Sequence, residues 1–297
     1  MNGVLYGGGL PTSIIALIKE LSEYDHYVLQ LNNRVNRLFS DEYEKNGAHF
    51  HALSKKLNNN DVLKINPEHV FLHSCNKNYI NAPILNEYNT ISFYHYNTTN
   101  NNDYFGNLNW FVSEFLYKRT QIKPINYIIQ PPPIFINDFI NIKRPKRKPI
   151  IGRIQSRSLL KEGKFSNIFF NVLSKINAKS FIVGPPNADA GVKPGMMPQY
   201  LKEIDIFVIW GNTTESWSLV ASEANLSGIP VVARRMNDGL TEQLNKSGGG
   251  ILVDTEEEFI DVVNMLIDDE NKRNEIAEKG KYWCLENTTS KLIRGFL

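Results

Sequence analysis

Glu215 and Glu223 are the residues of this chain whose type and spacing point most clearly to chemistry. The apolar run Ile206-Phe207-Val208-Ile209 precedes them. Such a run reads as a buried strand that enters a polar loop, here Gly211 to Glu215, with a helix following from Leu219 to Leu226. Ligands of open parallel sheets bind beyond the carboxyl ends of strands, so both carboxylates fall near an expected crevice. With Glu215 at the helix mouth and Glu223 inside the helix, they lie about 12 Å apart along the axis or less. That suits two ends of one ligand better than two acids acting on one bond. A nucleotide sugar has the matching form: hydroxyls on the ribose, hydroxyls on the sugar, a diphosphate between. Backbone donors at the helix start, around Ser218 and Leu219, suit the phosphates. Two surface glutamates flanking an ordinary helix would show the same spacing.

Three further groups could join such a site. Gly152-Arg153-Ile154, with Lys161-Glu162-Gly163-Lys164 downstream, would place cations near a strand end, where they offset the charge of a leaving diphosphate without a metal. Arg153 is the plain candidate; Lys161 is favoured for the second cation, with Lys164 and Arg157 as the other choices. Gly7-Gly8-Gly9 would let the backbone approach a ligand before the first helix, although it is not a GxGxxG fingerprint. His95 ends the apolar run Ile91–Tyr94, where it could hydrogen-bond a sugar hydroxyl or assist proton movement. His73 ends the preceding run and is the weaker candidate.

The elements that must position these residues form one alternation, repeated. Ile14, Ile15, Leu17, Ile18 and Leu21 recur at helical spacing after a short Val4-Leu5-Tyr6 run. His26–Leu31, Val70–His73, Ile91–His95, Phe111–Ser113 and Tyr127–Ile129 read as strands. After Pro131-Pro132-Pro133 and the basic run Lys143–Lys148 the pattern restarts. Strands are expected at Ile150–Gly152, Ser180–Gly184, Ile206–Ile209, Pro230–Ala233 and Gly250–Val253, and helices at Phe165–Ile176, Met197–Glu203, Leu219–Leu226 and Glu256–Ile267. Strands alternating with helices predict an α/β protein with parallel sheets. Prolines break the pattern, so residues 1–146 and 147–297 are expected to be two domains.

With 297 residues either half can bury its own core. A formal net charge of +2 gives no nucleic-acid signature. The basic run reads as a solvated linker or, more sharply, as a contact with anionic lipid headgroups or a phosphorylated acceptor. Two cysteines, Cys75 and Cys284, have no paired spacing. No signal peptide and no membrane-spanning run is evident, so the expected location is cytoplasmic, with peripheral membrane contact through the basic run.

Glu215-x7-Glu223-Ala224, followed by Ser227-Gly228-Ile229-Pro230-Val231-Val232-Ala233, resembles the signature of the GT-B glycosyltransferases of family 4. The resemblance is strong from Ile150 to Ile267 and weaker before it. It implies two Rossmann-like domains facing across a cleft, the first on the acceptor side and the second binding the nucleotide sugar, with the segment from Trp283 to Leu297 crossing back to the first domain. It implies that Glu215 contacts the donor sugar, that Glu223 holds the ribose hydroxyls, and that Arg153 and a lysine serve the diphosphate. The Gly8-Gly9 loop would lie beside the diphosphate and acceptor, and His95 near the transferred sugar. The implied reaction moves a sugar from a UDP- or GDP-sugar to a hydroxyl of a glycan, glycolipid or protein, retaining anomeric configuration and needing no metal or other cofactor. Two departures stand out. Ser216-Trp217-Ser218 replaces a glycine-containing turn, and so few residues precede Gly7 that the first strand is expected to be very short or missing. A nucleotide-sugar epimerase and a non-catalytic subunit that binds a partner transferase or a glycan are the other readings.

Overall fold

In a computed structural model, the protein is described at residues 3–8, 11–30, 37–53, 56–73, 80–95, 106–121, 123–154, 170–184, 194–211 and 214–297. The chain divides into two units, Met1–Phe135 with Thr288–Leu297, and Ile136–Asn287. All strand pairs described in both are parallel.

The first unit holds β1 (Gly3–Gly8), β2 (Asp25–Gln30), β3 (Ala48–Ala52), β4 (Leu57–Asn58), β5 (Pro67–His73), β6 (Ile80–Asn81), β7 (Asn89–Tyr94), β8 (Leu108–Phe111) and β9 (Tyr127–Ile129). Seven of these form one sheet in the order β3-β2-β1-β5-β7-β8-β9, while β4 pairs with β6. The strand expected to be very short or missing is therefore present. It runs six residues, lies between β2 and β5, and pairs with both. Val70 and Leu72 pack with Leu57 and Val62 on one face; Phe71 and Phe93 pack with Ile14, Leu17 and Trp110 on the other. A parallel sheet covered on both faces needs such continuous apolar runs.

Thr288–Leu297 completes this unit. The backbone of Ile134 donates to the Thr288 carbonyl at 2.8 Å, and Ser290 N–H donates to the Ile134 carbonyl at 2.9 Å. Ile293 is fully buried in the same core, a burial of order 2 kcal/mol. Arg294 pairs with Glu20 and Glu23. The helix Glu270–Asn287 precedes this return and belongs to the second unit, so the part of the terminus that joins the first unit is the 3₁₀ turn Ser290–Phe296.

The second unit holds β10 (Ile151–Ile154), β11 (Ser180–Val183), β12 (Ile206–Ile209), β13 (Val231–Arg234) and β14 (Gly250–Val253), in the sheet order β11-β10-β12-β13-β14. Ile151, Ile206, Val208 and Val232 face the helix Glu256–Asp268 through Phe259 and Val263. The units divide between Phe135 and Ile136, ahead of the basic run. The reason is local bonding. Arg144 donates to the carbonyls of Ser227 and Gly228, both at 2.7 Å, where a cation also complements the end of the helix Leu219–Leu226. Arg147 reaches Glu203 and Asp205, and Lys148 donates to the Asn177 carbonyl. Three of the five cations expected to lie in a solvated linker are thus tied to the second unit. Among the described residues no helix is long and apolar enough to cross a membrane.

Candidate functional site

In the second unit the site is assembled at the carboxyl ends of β10, β12 and β13. After β12 the chain passes Trp210 and reaches Glu215, which is exposed. The loop behind it is fastened from two sides. Asp238 accepts the Glu215 backbone N–H at 3.1 Å through one carboxylate oxygen, and the N–H of Thr241 at 2.9 Å through the other. One side chain therefore caps the helix Gly239–Ser247 and holds Glu215 in place. Gly239 N–H donates to the Glu215 carbonyl at 2.7 Å. A Cβ on Gly239 would sit 1.9 Å from the Ser216 carbonyl oxygen, so only glycine permits this approach. Asp238 and Gly239 therefore have a structural role, as their position beside the site suggests.

Ser216-Trp217-Ser218 stands where a glycine-containing turn is expected. The Trp217 indole is buried, donates to Ser222 Oγ at 3.0 Å and lies parallel to Trp283 at 6.0 Å. Gln243 grips the next residue: its Oε1 accepts the Ser218 N–H at 3.1 Å, and its Nε2 donates to the Ser218 carbonyl and to Ser222 Oγ. The Ser218 hydroxyl caps the helix by accepting from Ala221 N–H. The Ser218 N–H, expected to face a phosphate, is thus already committed to Gln243. Leu219 opens the helix and keeps the position expected of it.

The helix Leu219–Leu226 buries Ala221 through Leu226, nearly its full circumference. Glu223 is carried inside with them at 2% exposure. Burial, reinforced by nearby Asp138, pushes its carboxyl pKa up to about 8. Among the described residues no salt bridge reaches it. A carboxyl held this way gains most from a ligand hydroxyl that donates to its ionised form.

Arg153, at the end of β10, is 5% exposed and donates to the Trp210 carbonyl at 2.7 Å. The guanidinium of Arg234, at the end of β13, lies 5.8 Å from the Trp210 ring centroid. Trp210 thus supports two cations, one through its carbonyl and one through its ring. Arg234 was not among the expected site residues. Its signal was its position directly after the Val231–Ala233 run, at a strand end. Lys161, Lys164 and Arg157 lie outside the described residues.

In the first unit, three adjacent strand ends carry Gly8, His73 and His95. Gly8 is the last residue of β1 and pairs with His73 across to β5; it is a strand residue, not part of a loop, because the pairing of β1 with β5 continues to its end. Gly9 lies outside the described residues. His73 pairs in register with Phe93 of β7, and His95 follows two residues later on the same face. His73 Nδ1 and His95 Nε2 are 3.1 Å apart. Burial pushes the His95 pKa down to about 3 and holds that of His73 well below the ordinary range, with the neighbouring His95 adding to the effect. Both rings are therefore neutral at physiological pH. His95 can exchange hydrogen bonds with a hydroxyl but brings no imidazolium charge. His73, the weaker expectation, stands between Gly8 and His95.

Residues 190–283 match the family described as "Glycosyl transferases group 1". No curated protein matches the chain significantly. Among solved structures, HepE of Anabaena in complex with UDP-glucose superimposes with a TM-score of 0.71 at 13% identity, over 99% of this chain and 98% of that one. A glycosyltransferase from Rickettsia africae gives a TM-score of 0.71 at 12% identity, over 99% and 97%. A putative UDP-N-acetylglucosamine 2-epimerase from Listeria monocytogenes gives 0.62 at 10% identity, over 96% and 94%. At these identities the likeness shows the fold, which serves more than one chemistry. The whole chain has the GT-B fold of these solved structures, and residues 190–283, within its second unit, are similar to the glycosyl transferases group 1 family.

Proposed function

We propose that this protein is a glycosyltransferase that moves a sugar from a UDP- or GDP-sugar to a hydroxyl of a glycan, glycolipid or protein acceptor, with retention of anomeric configuration and without a metal. The observation that carries the reading is the pair of unlike carboxylates at one strand end. Glu215 is exposed on a loop fastened by Asp238 and Gly239, and Glu223 is buried in the helix that follows. The family match spans both. In this reading Glu215 receives the donor sugar and Glu223 accepts from the ribose hydroxyls. Leu219 presents its N–H to the phosphates.

Arg153 offsets the charge that develops on the departing diphosphate, which is the work a metal would otherwise do. His95 meets the transferred sugar as a neutral imidazole. Since HepE is held with UDP-glucose, a uridine nucleotide is the first donor to try.

The test is a panel of UDP- and GDP-sugars, supplied with and without hydroxyl acceptors and read by released nucleoside diphosphate. Release that depends on an acceptor supports transfer. Conversion of the donor to a second nucleotide sugar with no acceptor present would favour the epimerase reading, which the Listeria likeness keeps in view. If no member of the panel is bound or consumed, the enzyme reading fails.

A further inference from the structure

We propose that His73 is a positioning residue for His95, fixing which of the His95 ring nitrogens carries the proton. The inference rests on the reading of His95 as the residue that meets the transferred sugar. Its geometry stands apart from that reading. The two rings are inclined by only 4°, with centroids 5.3 Å apart. That separation is close to the 3.1 Å contact between His73 Nδ1 and His95 Nε2 plus the two ring radii. The imidazoles therefore meet edge to edge in one plane, and the line between the nitrogens points into both rings. This is the alignment of an N–H···N hydrogen bond.

A neutral imidazole has one N–H donor and one bare acceptor nitrogen. Both rings are buried and neutral, so one proton occupies the contact. If His73 Nδ1 donates, His95 is bare at Nε2 and protonated at Nδ1. If His95 Nε2 donates, its Nδ1 is bare. Either way the state of one ring dictates the state of the other, and what His95 offers at Nδ1 is set by His73. The plane of the pair is fixed as well. Phe93 lies parallel to His73 at 4.7 Å and is backed in turn by Trp110 at 5.0 Å. On its other side His73 is in register with Gly8, which has no side chain to displace the ring. His73 touches no substrate in this account; it prepares the ring that does.

The test reads the proton directly. In protein labelled with 15N, long-range 1H–15N spectra distinguish protonated from bare ring nitrogens, and six histidines are few enough to assign by substitution. The wild type is expected to show His95 as a single tautomer. In His73→Ala the His95 nitrogens should shift towards averaged values, and kcat should fall about tenfold or more with donor KM unchanged. His73→Asn, whose side-chain amide can donate or accept near the place of Nδ1, should restore the single tautomer and most of kcat. Averaged His95 tautomers in the wild type would overturn the proposal, as would a His95 pattern in His73→Ala identical to the wild type. The wild-type spectrum decides this even if His73→Ala does not fold. If His95→Ala turned over like the wild type, the reading of His95 would fall, while the spectra would still decide the coupling between the two rings.

Discussion

The strand ends of the two units solve opposite problems. In the first unit Gly8, His73 and His95 sit at the carboxyl ends of three neighbouring strands, and the two imidazoles are buried and neutral among aromatic rings. In the second unit the corresponding edge carries Arg153 and Arg234 on Trp210, exposed Glu215 and buried Glu223. One edge has the chemistry to exchange hydrogen bonds with uncharged hydroxyls. The other has cations for an anion and carboxylates for the hydroxyls on either side of it. The same parallel architecture therefore carries two different electrostatic sites, and the difference lies in a few side chains after each strand rather than in the fold.

Substitutions on the two edges should separate this division of labour. The largest effect is expected at Arg153. Arg153→Ala should lower kcat/KM by about 10²- to 10³-fold, because a fixed charge at a developing diphosphate acts mainly in the transition state. Initial rates of nucleotide release measure it, and a loss of less than tenfold would move the diphosphate elsewhere. Next comes His95. His95→Ala should lower kcat about 10²-fold while leaving the affinity for UDP unchanged. A weakened UDP affinity would show that the neutral edge also binds the nucleotide, and the contrast between the edges would collapse.

Asp238→Ala tests the frame of the charged edge. It removes a helix cap and the acceptor for Glu215 N–H, so it should cost about 1–2 kcal/mol of stability and depress turnover. Thermal unfolding and initial rates read the two consequences separately. A protein as stable as wild type would mean that the loop is held by Gly239 and Gln243 alone.

The smallest effect is the most diagnostic. The carboxyl of Glu223 has a pKa raised to about 8, by burial and by nearby Asp138. The folded state thus binds this proton more tightly than the unfolded chain, so the carboxyl favours folding most at low pH. That contribution is lost as pH rises from the ordinary carboxylate range towards 8. If ribose hydroxyls donate to the ionised form, UDP affinity should rise between pH 6.5 and 8.5, by at most about tenfold per pH unit. The same titration on Glu223→Gln should lack this component. A pH dependence unchanged in Glu223→Gln would place the ribose on other groups.

Much of the second unit was legible in the sequence because its strands are short apolar runs with β-branched residues, each followed by a polar loop. Pro230–Ala233 and Gly250–Val253 were found within a residue of β13 and β14. Glu215 and Glu223 were legible as a pair by their spacing. What holds them was not. Gln243 reaches Ser218 from 25 residues away in the chain, and no periodicity records such a contact. The strand Ala48–Ala52 was missed because it forms no apolar run: it lies at a sheet edge, with Ala48 buried, Phe50 half-buried and the other three residues exposed. The first strand is expected to be very short or missing because so few residues precede Gly7. Glycine is a poor strand former, but pairing with both neighbours to Gly7, and with β5 to Gly8, carries β1 through. The link between His73 and His95 depends on β5 and β7 being neighbours in register, which only the assembled sheet provides.

The central claim is that the charged edge of the second unit recognises a nucleotide sugar through Glu223. Calorimetric titration of UDP, and of GDP in parallel, into the wild type and Glu223→Ala addresses it most directly. The account predicts saturable one-site binding of one of the two nucleotides to the wild type and an affinity at least about tenfold weaker in Glu223→Ala, equivalent to roughly 1.4 kcal/mol. Equal affinity in the two proteins, or binding of neither nucleotide by the wild type, would contradict it.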